Sequence, residues 1–164
     1  MASSPSVATP AIPLHEQPAI QARRWFLLGI MCLSLVLVVM SVSGLNTALP
    51  TMQRDLGATA SELQWIVDAY AVVFAGLLLS AGAIGDRFGR RRALLGGLVV
   101  FGIGALLGGL AGDATQVIAS RAVMGIGAAF VMPATLSLIT SIFPPHERPR
   151  AIAVWAGFAG AGAS

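Results

Sequence analysis

The sequence predicts an all-α membrane protein, and three observations carry that expectation. Hydrophobic residues make up 56% of the chain and charged residues only 10%, with a mean hydropathy of +0.82. Ordinary water-soluble domains do not have this composition. The apolar residues are gathered into runs long enough, at about 1.5 Å rise per residue, to cross a hydrocarbon core about 30 Å thick. The basic residues, ten arginines and no lysine, lie mostly in the short segments between those runs. A net charge of +3 placed in this way is not a nucleic-acid footprint. The single cysteine, Cys32, allows neither an internal disulfide nor a metal cluster.

Taken in order, residues 1–22 hold Pro5, Pro10, Pro13 and Pro18 among small polar residues and read as a disordered cytoplasmic tail. A signal peptide would have a far shorter apolar core than the run that follows. That run, residues 25–49, is the first span, and Arg23 and Arg24 introduce it. Residues 50–63 are a short polar connection. The second span covers residues 64–85 and the third 93–112. A tight turn at Asp113–Thr115 leads into a fourth span, 116–142, which carries Arg121 and Pro133 inside it. The segment from Phe143 to Arg150 breaks the helix, and a fifth apolar run, 150–164, reaches about half a span. Residues 23–164 thus form one bundle of about four and a half helices.

The arginines orient it. With the N-terminus in the cytoplasm, Arg23, Arg24, Arg87, Arg90, Arg91, Arg92, Arg148 and Arg150 all fall inside, and only Arg54 lies in an outer loop. Trp25, Trp65 and Trp155 each stand at the start of a span, where an interfacial aromatic belt places them. In the third span Gly104, Gly108 and Gly112 recur every four residues, giving a smooth stripe against which another helix packs closely.

Between the second and third spans the chain reads Gly82-Ala83-Ile84-Gly85-Asp86-Arg87-Phe88-Gly89-Arg90-Arg91-Arg92-Ala93-Leu94. The positive-inside rule asks for charge here but not for this spacing. The stretch resembles the signature loop between helices 2 and 3 of the major facilitator superfamily. Gly82, Asp86, Arg87, Gly89, Arg90, Arg91 and Leu94 match, and Ile84 stands where leucine is usual. The resemblance implies a conformational latch at Gly82, Asp86, Arg87, Gly89, Arg90 and Arg91. In it Asp86 accepts from a helix N-terminus of a second bundle, and the arginines order the loop.

Three further positions bear on a proton or substrate pathway. A cation inside a span costs about 2.5–3.5 kcal/mol at the bilayer centre, so Arg121 needs a reason to be there. The run Arg121 to Ala129 resembles the superfamily's helix-4 motif R-x-x-Q-G-x-G-x-A, with Gly125 matching and Met124 in place of glutamine. In the family this arginine faces the central cavity and is implicated in proton coupling. The alternative is that Arg121, about 7.5 Å inside the outer boundary, snorkels to the headgroups. Asp68 and Asp86 are eighteen residues apart, five turns of helix, so both carboxylates share a face with Ala71, Val72, Ala75, Leu79 and Gly82. Asp68 either serves a seam with a second bundle or accepts hydrogen bonds at the interface. The stretch from Met40 to Pro50 resembles the helix-1 motif L-D-x-T-I-V-N-V-A-L-P of the fourteen-helix drug/proton antiporters. Asn46, Ala48, Leu49 and Pro50 match, but Ser41 replaces the acid. Trp155 to Gly162 is similar to the opening of the antiporter motif of helix 5.

The resemblance covers residue 25 to the end. It implies the N-terminal half-bundle of a transporter in the plasma (inner) membrane, exporting hydrophobic or cationic small molecules in exchange for protons. The C-terminal bundle is missing from this sequence, so the chain is expected to be inactive by itself. A sugar or metabolite carrier of the same superfamily and a non-transporting membrane scaffold are the rival readings. A small four-helix exporter needs an acid in its first helix, and residues 25–49 hold none. Nothing points to an enzyme: there is no nucleophile elbow, phosphate loop or paired catalytic carboxylates. No cofactor or metal is expected, since His15 and His146 lack partners at ligand spacing. The expected partners are lipid, a small-molecule substrate and protons.

Overall fold

The computed structural model describes residues 16–161. Five helices follow one another: α1 (Pro18–Asp55), α2 (Ala60–Phe88), α3 (Arg90–Gly109), α4 (Ala114–Ile142) and α5 (Arg148–Ala161). No strand occurs among the described residues. The first four helices are long and apolar enough to cross a membrane. The fold is an all-helical half-bundle.

Local chemistry sets the ends. α1 begins at Pro18, whose missing N–H costs nothing in the first turn and whose fixed φ suits a helix start. Residues 18–22 are therefore helical and not part of a tail; residues 1–15 of the expected tail lie outside the described residues. Pro50 does not end α1 either. It removes one hydrogen bond, and the helix continues to Asp55, so the expected connection over 50–63 shrinks to residues 56–59. Gly57, at φ 61°, makes the turn there.

α2 opens with a capping box. The Thr59 hydroxyl accepts from the Glu62 backbone, and the Glu62 carboxylate accepts from the Thr59 N–H at 2.8 Å. The Thr59 N–H and the Thr59 hydroxyl, both donating to Glu62 Oε2, hold the Glu62 carboxyl below the usual carboxylate range. Asp113 caps α4 by accepting from Gln116 N–H at 2.8 Å, which brings the helix start forward to Ala114. α3 stops at Gly109, so Gly112 lies beyond the helix it was expected to line.

α4 is the centre of the bundle and packs most extensively against α3 and α2. Glycine makes both approaches possible. A Cβ on Gly127 would lie 2.5 Å from the Phe101 nitrogen of α3, and one on Gly104 would lie 2.8 Å from the Met124 nitrogen of α4. Three apolar clusters stack along the bundle. Leu28, Phe143 and Ala151 meet at one end, Val38, Phe101 and Val131 in the middle, and Leu45, Ile66 and Val117 at the other end. The start of α1, the end of α4 and the start of α5 thus share one end of the bundle. Trp155 is not a belt residue of the kind expected: its indole N–H points inward and donates to Thr135 Oγ1 at 3.3 Å. Trp25 and Trp65 are exposed.

Candidate functional site

Two constellations of polar side chains stand out. The first is the joint between α2 and α3. A single residue connects the two helices, and it is Gly89 at φ 103°, a conformation side-chain-bearing residues rarely adopt. Gly85 is buried one turn earlier, where a Cβ would come within 3.3 Å of Ala93. Across this joint Arg90 Nε donates to Asp86 Oδ1 at 3.1 Å. Arg90 Nη1 reaches further, to the Ser137 carbonyl at 2.9 Å and to the Ser141 hydroxyl on α4. Asp86 itself stays open, its side chain 65% exposed. Arg87 lies over the ring of its neighbour Phe88, and Arg91 lines the exposed side of the joint with Gly89 and Leu138. A cleft of about 350 Å³ runs from Asp86 and Arg90 along Gly82, Pro133 and Ser137, between α2 and α4.

The second constellation surrounds Arg121. The residue is only 4% exposed, and its guanidinium turns into the bundle and not toward lipid. Its Nε donates to the Ile66 carbonyl of α2 at 3.3 Å, and its Nη1 to the Ser41 carbonyl of α1 at 3.4 Å. The guanidinium carbon stands 4.6 Å from the centroid of the Tyr70 ring, while Nη2 is buried without a hydrogen-bond partner. Among the described residues Arg121 forms no salt bridge. Met124, which replaces the glutamine of the helix-4 motif, approaches Nη1 with its sulfur at 3.9 Å.

Of the other expected pathway residues only Gly125 adjoins this constellation, through the Tyr70 backbone. Gly125 is in the seam with α2, where a Cβ would lie 2.7 Å from the Tyr70 carbonyl oxygen, so it sets helix separation. Asn46 is exposed on α1, one position past buried Leu45. Asp68 is half-buried on α2, and the face it shares with Asp86 is open: Val72 is 63% and Leu79 87% exposed. Tyr70, Ser137 and Ser141 belong to the sites but were not singled out from the sequence. Tyr70 is the only tyrosine in the chain, and Ser137 and Ser141 are hydroxyls one turn apart on an apolar helix. Those two signals were available.

Comparison with known proteins bears on this geometry. The family model of the Major Facilitator Superfamily matches residues 31–164. The chain belongs to that superfamily. Among similar proteins is the puromycin resistance protein pur8 of Streptomyces alboniger, 40% identical over an alignment covering 100% of this chain and 33% of that protein. The methyl viologen resistance protein SmvA of Salmonella typhimurium is 39% identical, over 87% of this chain and 29% of its own length. The multidrug efflux pump LfrA of Mycolicibacterium smegmatis is likewise 39% identical, over 87% and 28%. The chain therefore spans about a third of the length of the curated relatives it matches. By family the chain belongs to a multi-pass membrane protein, and the Gly89 joint is the stretch whose sequence resembles the superfamily's helix 2–3 loop.

Proposed function

We propose that this chain forms the N-terminal part of a drug exporter that couples efflux of hydrophobic or cationic small molecules to proton entry. The observation that carries the reading is its 40% identity, along its whole length, to a protein named for puromycin resistance. The site supports it. A guanidinium held inside a bundle with the N–H groups of Nη2 unpaired is chemistry that a mere scaffold has no use for. The cation would repel a proton or cationic drug when close and attract transient anions, so its position sets the order in which charges pass.

The orientation proposed has the N-terminus in the cytoplasm of a plasma-membrane protein, which puts the Arg87–Arg92 joint inside. There the open carboxylate of Asp86 would engage a helix N-terminus of the second bundle, as a latch on the outward-facing or inward-facing balance. Asn46 and Asp68 would line the pathway and its outer mouth.

The test uses the full-length transporter in everted vesicles. A proton gradient should drive methyl viologen uptake, and nigericin, which collapses that gradient, should stop it. Uptake indifferent to nigericin would remove proton coupling. Transport of sugars but of no drug would favour the metabolite-carrier reading.

A further inference from the structure

Arg121 presents a physical problem that its hydrogen bonds do not solve. A buried cation ordinarily has a carboxylate beside it. Here both contacts from the guanidinium to protein oxygen are to backbone carbonyls, and both are long, at 3.3 and 3.4 Å. The position on α1 that faces it carries Ser41, which contributes its carbonyl oxygen. What does face the charge closely is the ring of Tyr70, at 4.6 Å. That is well inside the range over which an aromatic face attracts a cation, and desolvation strengthens the attraction. Phe74 stacks on the same ring, with planes 1° apart, so Tyr70 cannot easily tilt away. Gly125 completes the arrangement, since its missing Cβ lets the Tyr70 backbone come up against α4.

We propose that Tyr70 is the positioning residue of Arg121, holding the guanidinium inside the bundle by its ring face where a carboxylate would otherwise be needed. The inference rests on the reading of Arg121 as a transport residue and adds how that residue is held. The difference between the two kinds of partner is chemical. A carboxylate would take two N–H donors in a fork and cancel the charge. A ring face attracts the cation without accepting a donor and without neutralising it. Arg121 therefore keeps its full charge and both N–H groups of Nη2 free, for a partner that comes and goes during the cycle. Tyr70 does not touch the cargo; it fixes where the positive charge stands.

A core residue that merely fills space is the competing account, since Tyr70 belongs to the same buried apolar cluster as Val38, Phe101 and Met124. Fluorinated phenylalanines at position 70 separate the two, because successive fluorines drain the ring face while hardly changing its size. In the full-length transporter, methyl viologen uptake into everted vesicles should be within about twofold of wild type for Tyr70→Phe. It should fall stepwise with fluorination, to about a tenth, with KM nearly constant and kcat taking the loss. Tyr70→Leu should be as poor as the most fluorinated ring. Equal rates across the fluorinated series, alongside a dead Arg121→Lys, would overturn the proposal and leave the transport role of Arg121 standing. Active Arg121→Lys would overturn the functional reading and with it the role of Tyr70. The contact is also readable without transport. In the full-length transporter labelled with ¹³C-tyrosine, the ring signal that Tyr70→Phe removes is that of Tyr70, and Arg121→Met should displace it. A signal that does not move in a folded Arg121→Met protein sinks the contact itself.

Discussion

Arg90 and Ser141 join the start of α3 to the end of α4. The guanidinium of Arg90 donates through Nη1 to the Ser141 hydroxyl and the Ser137 carbonyl, and only its Nε serves Asp86. The loop is therefore anchored to α4 independently of the carboxylate. This separates two roles that the motif alone leaves merged: Arg90 holds the loop, and Asp86 is left free to engage something else.

That separation makes Asp86→Asn informative in the full-length transporter. The Nη1 anchor survives the change, so insertion and substrate binding should be retained. Loss of the latch charge should lower transport roughly tenfold, equivalent to about 1.4 kcal/mol. Drug-uptake rates at matched expression measure it. A wild-type rate would count against the latch.

Orientation is checked by labelling single cysteines in a Cys32→Ser background. Phe88 is 62% exposed at the α2–α3 joint and should resist an impermeant thiol reagent added outside intact cells. Ala58, in the α1–α2 turn, is a poor reporter because it is only 5% exposed within the apolar cluster at that end. Ser61, exposed on the first turn of α2, is the better choice and should react. The reverse pattern would invert the topology.

Helix separation gives a prediction about stability. Gly127→Ala would drive a Cβ to 2.5 Å from the Phe101 backbone nitrogen. Neither backbone can yield without parting α3 from α4, so about 1–3 kcal/mol should be lost. Gly102 on the same α3 has nothing within 4 Å, and Gly102→Ala should be neutral or slightly stabilising. Thermal unfolding in detergent compares them. Equal melting temperatures would mean the seam is looser than described.

A fourth prediction concerns the end where α1 begins. Arg24 and Glu147 pair at 3.0 Å, each about a quarter exposed, beside Trp25, whose ring meets Phe143 edge-on and has Arg150 over it. This clasp ties α1 to the α4–α5 connection. A double-mutant cycle of Arg24→Ala and Glu147→Ala should give a coupling of about 0.5–1 kcal/mol in detergent unfolding, the upper range for partly exposed pairs. Additive effects would show the pair to be incidental.

How much was legible beforehand follows from what each feature depends on. The number and order of the spans depend on composition, and a sequence carries that. The expected loop over residues 86–92 shrinks to Gly89 alone, because α2 runs on to Phe88 and α3 starts at Arg90, which brings Asp86 and Arg90 together across the joint. The surroundings of Arg121 depend on which residue of α2 faces it across the bundle. Tyr70 sits in an apolar run where an aromatic ring looks like core, and Ser41 contributes a backbone carbonyl, which has no signature at all. Proline misled twice. Pro18 and Pro50 read as breaks, but at a first helical turn, or as a single lost hydrogen bond late in a long helix, proline is compatible with α structure.

Asp68 bears on how the outer mouth would close. It is half-buried on α2, on the face that also carries Val72, Leu79 and Asp86. That face is open among the described residues, with Leu79 87% exposed. Should a second bundle close on it, the Asp68 side chain at the outer end would lose water. Taking a carboxylate out of water without a partner is costly, whereas a neutral amide of the same size is far cheaper to bury. Asp68→Asn should therefore shift the full-length transporter toward outside-closed forms. Spin labels on Ser61→Cys and on a site across the outer mouth read the distance directly. That distance should be shorter in Asp68→Asn than in the parent. An unchanged distance would make Asp68 an interfacial acid with no part in closing the mouth.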